Sequence, residues 1–232
     1  MTENDQTSSV KCVDEAITGR HSVRSFLPRE VKRETVAKLL ELGARAPSAT
    51  NVQPWKVYVL TGAAKDALSK GIMEKFEAGQ TDGREYDQYP KVWEEPWLSR
   101  RRGVGKAMYG LLGIPKDDRE GMKRQMARNF LFFDAPVGLI FTMDKRFGFG
   151  MFMDIGMFME NVMTAAHARG LDTCPQGFFA DYSDTVRACL SIPQNEMVVC
   201  GMALGYANAD APINSLRPSR EPVEVFADFR GF

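Results

Sequence analysis

Residues 151–169 constrain the fold more than any other stretch. They are apolar nearly all round, with five methionines at Met151, Met153, Met157, Met159 and Met163, and Gly170 follows in the position that commonly ends a helix. A helix apolar on every side has no face to offer water, so the chain must surround it with other layers. The methionines suit a buried, irregular environment, because an unbranched thioether fills gaps that stiffer side chains leave. Two apolar runs, residues 135–141 and 197–206, read as core strands. Residues 55–60 read as a third strand, and residues 171–178 as a strand breaking into a proline-glycine turn.

Helical patterns fill the intervals. Val36, Leu39, Leu40 and Gly43 share one helical face, and Pro47 stops that helix. Residues 64–77 form another helix, and Ser183 is placed to cap a short one ending at Leu190. Residues 11–18 predict a first helix, with Cys12, Val13, Ala16 and Ile17 turned inward and Gly19 after its end. No repeat or flexible linker interrupts the 232 residues, so residues 1–232 read as one domain.

Charge and cysteine usage exclude several function classes. Lys plus Arg and Asp plus Glu both total 30, so no net positive charge points to nucleic acid. Cys12, Cys174, Cys189 and Cys200 are widely spaced, as reduced thiols would be, and form no zinc-type pair. Residues 1–9 are polar, without the build of a secretory signal, and no apolar run reaches membrane-spanning length. The expected location is the cytoplasm. No GxGxxG or GxxxxGK[ST] occurs, and the two histidines, His21 and His167, supply neither a histidine metal site nor a Ser-His-Asp triad. A chain this short of catalytic side chains implies that a bound cofactor would carry any chemistry.

Four stretches supply binding groups. Arg20, His21, Ser22 and Arg24 follow the first helix, and guanidinium forks suit phosphate oxygens. Residues 45–55 place Ser48, Asn51 and Gln53 on a loop between Pro47 and Pro54. Pro175, Gln176 and Gly177 offer a turn backbone, and the tail adds Arg217 and Arg220 among prolines. Together they suit a phosphorylated planar cofactor, with Asn51 or Gln53 at ribityl or ring-edge atoms. Residues 64–125 read as an aromatic excursion over the site, where Tyr86, Trp93, Trp97 and Tyr109 would line a pocket for a flat substrate and Arg100 to Arg102 would favour a carboxylated one.

In their order and wording, residues 20–24 (RHSVR), 46–55 (APSATNVQPW), 170–176 (GLDTCPQ) and 201–206 (GMALGY) resemble the FMN-dependent nitroreductase family, in particular its bacterial nitroaromatic-reducing branch. The likeness implies an α+β three-layer sandwich, a mostly antiparallel sheet flanked by helices, in an intertwined homodimer with FMN at the interface. It implies that Arg20, His21, Ser22 and Arg24, with Arg217 or Arg220, hold the phosphate and ribityl chain. Pro47, Ser48, Ala49 and Asn51 would reach the flavin from the other subunit. Pro175, Gln176 and Gly177 would lie along the isoalloxazine edge, and either Gln125 or Arg128 near its pyrimidine end. Gln176 departs from the Glu found in many members. The tail, residues 208–232, would lie on the partner subunit. The implied activity passes electrons from NADPH or NADH to nitroaromatic acceptors by a ping-pong mechanism. A reductive dehalogenase or ene-type reductase on the same scaffold, or a non-catalytic flavin-binding sensor, are the alternatives.

Overall fold

A computed structural model describes residues 12–232 of the chain; Lys11, placed at the start of the first expected helix, lies outside the described residues. Helix α1 runs over residues 12–19. Then follow β1 (Phe26–Leu27), α2 (Arg33–Gly43), β2 (Lys56–Leu60), α3 (Gly62–Glu77), α4 (Trp97–Leu111) and α5 (Arg119–Ala127). The second half holds β3 (Val137–Asp144), α6 (Met151–His167), β4 (Asp172–Gln176), α7 (Ser183–Leu190), β5 (Glu196–Ala207) and α8 (Val223–Phe226).

The long strand β5 is the hub. Its residues 201–204 pair with β3 on one side and β4 on the other, while β1 pairs with its last residues. Strand β2 pairs with β3 at the far edge, and all these pairings are antiparallel. Because side chains alternate along a strand, both faces of β3 are apolar, and each acquires its own core. Val137, Leu139, Phe141 and Met143 pack with α2 and α6, through Val36, Leu39, Phe158 and Val162. Ile140, Val198 and Ala203 face the other way, onto Leu68 and Ile72 of α3, Val186 of α7 and a phenylalanine cluster. A bulge opposite Phe141 and Thr142 puts both Val199 and Cys200 toward the α2–α6 side, so the alternation resumes in register. The result is an α+β fold with helices on both faces of one sheet.

Several local expectations are corrected. In α1 only Ala16 is buried, whereas Val13 and Ile17 stand 56% and 54% exposed. Helix α6 is buried along Ile155, Phe158, Met159, Val162 and Met163, but Met153 and Met157 point outward. Ser183 is the first residue of α7 rather than its cap; Asp82 Oδ2 instead accepts the Thr185 N–H at 2.7 Å from a distant loop. Pro175 and Gln176 stay in the ladder opposite Met202 and Gly201, and the chain turns only after Gln176. Helix α3, placed by its position in the aromatic excursion, is a core layer, since Leu68 and Ile72 are fully buried. Within that excursion α4 buries no side chain. Among the described residues no helix is long and apolar enough to cross a membrane.

Candidate active site

A cleft of about 320 Å3 opens where β4 ends. It is lined by Pro175, Gln176 and Gly177 at the end of β4, by Gln125 and Asn129, by Tyr109 of α4 and by Arg24. The backbone of Phe132, Phe133 and Asp134 is left-handed at all three residues, with φ between +51° and +68°, a costly run for non-glycine residues that brings Phe133 to the cleft wall.

Gln176 is 1% exposed. Its Nε2 donates to the Asn129 carbonyl at 2.6 Å, while its Oε1 is buried without a donor. A buried amide oxygen left unpaired costs free energy unless a ligand supplies the missing bond. At Gly177 a Cβ would lie 2.7 Å from the Gln88 amide, so glycine lets residues 84–89 lie against this backbone. Arg84 tethers that segment by donating from Nη2 to Asp181 Oδ2 at 3.0 Å. Cys174 also lines the cleft, and burial pushes its thiol up to about 11, so it offers no thiolate at neutral pH.

The basic cluster is assembled from both ends of the chain. The Arg24 N–H donates to Asn214 Oδ1 at 2.8 Å, and Asn214 Nδ2 donates to the Ser25 carbonyl at 2.7 Å. This clamp brings Arg217, whose Nη1 donates to the Asn214 carbonyl at 2.8 Å, to the segment holding Arg24. Neither guanidinium meets a carboxylate among the described residues; Arg24 Nη1 donates only to the Ser22 carbonyl, at 3.2 Å. Arg220 bonds only its neighbours' carbonyls, Pro218 and Ser219, both at 3.1 Å. Arg20 Nε is held 3.2 Å from Glu160 of α6. Burial lowers the pKa of His21, against the raising effect of its hydrogen bond to the Gly19 carbonyl and with the Arg217 charge acting in the same direction as burial. Ser22 bridges Thr173 beside β4.

Other expected groups lie elsewhere. The loop carrying Pro47, Ser48, Ala49 and Asn51 precedes β2, so β3 and β5 stand between it and β4. That loop is rigidly held: Asp154 Oδ2 accepts the Ala49 N–H at 3.1 Å, and Ser48 Oγ accepts the Gln53 N–H at 3.0 Å. Thr50, Asn51 and Gln53 all have positive φ. Arg128 is taken by Asp134 at 2.8 Å, and Arg100 by Glu221 at 2.9 Å. Tyr86 packs its ring on Phe152 at 4.8 Å and donates its hydroxyl to the Val199 carbonyl, which makes it part of the core. Trp93 sits 5.6 Å from Tyr89 and under the Arg101 guanidinium, outside the cleft lining, and Trp97 is exposed. Gln88, Asn129 and Asn214 escaped the sequence reading, because single amides in polar surroundings carry no spacing signal.

The cleft therefore presents amide donors and acceptors, aromatic walls and a cationic base, with no activated nucleophile or neutral-range acid. A chloronitrobenzene nitroreductase of Comamonas testosteroni is 38% identical over 94% of this chain and 96% of its own. A 4-nitrobenzoate reductase of Nocardioides sp. is 41% identical over 95% of this chain and 91% of its own. Among solved structures, an FMN- and NADPH-dependent nitroreductase from sphigopyxis sp. strain HMH superposes with a TM-score of 0.92 at 37% identity, covering 95% of this chain and 99% of that one. The nitroreductase family model matches residues 17–206, and with such relatives on either side of it the chain belongs to the nitroreductase family.

Proposed function

We propose that this protein is an FMN-dependent oxidoreductase that draws electrons from NADPH or NADH and delivers them to nitroaromatic acceptors, nitrobenzoate-like ones included, as a homodimer. The observation that carries this reading is the unpaired, buried Gln176 Oε1 beside a cleft lined by an arginine that meets no carboxylate among the described residues. These residues fit FMN. Arg24 and Arg217 match the dianionic phosphate. Gln125, Asn129 and Gln176 supply the mixed donors and acceptors that the pyrimidine edge of a flavin requires. Gly177 keeps the backbone open to close approach by a flat ring.

When bound there, FMN supplies reversible two-electron chemistry shared in alternation between the nicotinamide donor and the acceptor, which is the basis of a ping-pong scheme. The residues of this chain orient and enclose. Tyr89 and Tyr109 offer aromatic walls suited to a flat molecule, and Arg84 and Gln88 stand beside the Gly177 backbone, where they would limit water at a bound ring.

The dimer is supported by three features of the single chain. The Pro47-to-Asn51 loop is rigid yet stands at the sheet edge opposite the cleft, so it serves a flavin site only in a second subunit. Val13 and Ile17 of α1 and Met153 and Met157 of α6 expose apolar side chains. The tail exposes Phe226, Phe229 and Phe232. The test is the visible spectrum of the purified protein before and after anaerobic NADPH. Flavin bands that bleach and return with a nitroarene support the reading, whereas a colourless protein that takes up no FMN rejects it. Bound FMN that no NAD(P)H reduces would favour the sensor.

A further inference from the structure

A second cavity, of about 470 Å3, adjoins the cleft and has no part in the proposed reaction. Its floor is aromatic, with Phe76, Phe130, Phe178 and Tyr182. Phe130 meets Tyr182 edge-on at 4.9 Å and Phe76 at a tilt at 5.3 Å, so the aromatic lining is one packed cluster. Its rim carries two cations, Arg119 at the start of α5 and Lys123 one turn later. Neither is paired with a carboxylate among the described residues; Lys123 Nζ instead stands 5.7 Å above the Phe76 ring. The one acid in the wall, Asp181, is already neutralised by Arg84.

We infer that this cavity binds a planar aromatic carboxylate, with its ring on the phenylalanine floor and its carboxylate between Arg119 and Lys123. Aromatic rings pack edge-on or offset against such a floor, and an arginine fork with a neighbouring ammonium suits a carboxylate. The volume lies in the range of small-molecule sites. Met126 and Phe178 wall both this cavity and the cleft, so a bound arene rests one side chain away from the proposed flavin site. The cavity thus concentrates acidic arenes beside the cleft. Its occupation needs neither flavin nor turnover, so it stands or falls separately from the activity proposed above.

Methionine-methyl NMR on the full chain separates the two spaces, because Met122 lines only this cavity, Met108 only the cleft, and Met126 both. The probes are benzoate and its uncharged analogue benzamide. Benzoate is expected to shift Met122 and Met126 saturably, and benzamide to bind roughly tenfold more weakly, the share expected of a charge-assisted contact. The double variant Arg119→Gln, Lys123→Gln is expected to lose benzoate binding by a similar factor while the Met108 signal stays in place. Benzoate that moves Met108 alone, equal affinities for the two probes, or undiminished binding in the double variant would each overturn the inference. The comparison of probes on the unaltered chain keeps the test decisive even if the variant folds poorly.

Discussion

Arg24 and Arg20 look alike in the sequence, four residues apart in one basic turn. Their neighbours separate them. Glu160 sits 3.2 Å from Arg20, while Arg24 has only a carbonyl for its guanidinium and faces the cleft. Arg24→Ala should therefore weaken FMN binding by about ten- to a hundredfold, the range of a charged hydrogen bond of about 1.5–3 kcal/mol, as read by quenching of flavin fluorescence. Glu196 is the other informative residue. It is buried in β5, yet Lys56, Tyr58 and Thr142 all donate to its carboxylate, the last two at 2.9 and 2.7 Å. Burial alone would raise its pKa, but these bonds outweigh burial and hold the group below the usual glutamate range. A depressed carboxylate stabilises the fold above its unfolded-state value, roughly pH 4.3, and that stability is lost as pH falls through the lower folded value. Glu196→Gln should melt earlier at pH 7, by about 1–3 kcal/mol, and show a flatter loss of stability on acidification than the parent chain. Thermal melts from acid to neutral pH decide this.

Glycines set how closely elements approach. A Cβ on Gly201 of β5 would lie 2.3 Å from the Phe179 ring, and one on Gly138 of β3 2.6 Å from Phe132. The two rings stack at 4.7 Å in the trough so formed. Because Phe179 follows Gly177 in one short turn, this trough also fixes the height of the cleft wall above the sheet. Gly201→Ala should destabilise the protein by about 1–3 kcal/mol through overpacking, measurable by denaturant unfolding, and should weaken FMN binding as the turn is displaced. An unchanged unfolding midpoint would show that Phe179 moves aside freely. Element positions of this kind were largely legible in the sequence: β3 and β5 are apolar runs, and α2, α3 and α7 follow helical patterns bounded by Pro, Gly or Ser. The exception was α6, whose outward methionines look the same as its inward ones in a run that is apolar throughout.

At the scale of the molecule, the proposed dimer would cover the exposed apolar side chains of α1 and α6 and bring the Pro47-to-Asn51 loop of one copy to the cleft of the other. The pair Ile17→Glu, Met157→Glu should convert a dimer of 26.0 kDa chains into monomers by sedimentation, with loss of bound flavin in parallel. A monomer that retains FMN would instead make the cleft self-sufficient. The sequence by itself determined most of the core strands and helices, though not β1, α4 or α8, and which short motifs mark the family, because periodicity, proline and glycine act on neighbouring residues. It also pointed to Pro175, Gln176 and Gly177, which line the cleft from the end of β4 rather than from the expected turn. Only the tertiary structure decided which charges are spent and which are left for a ligand. Arg100 meets Glu221, Arg20 meets Glu160 and Asn214 clamps Arg24, each across more than a hundred residues of chain. Such contacts follow from strand order and helix packing, which bring distant segments together, and no spacing within one segment records them.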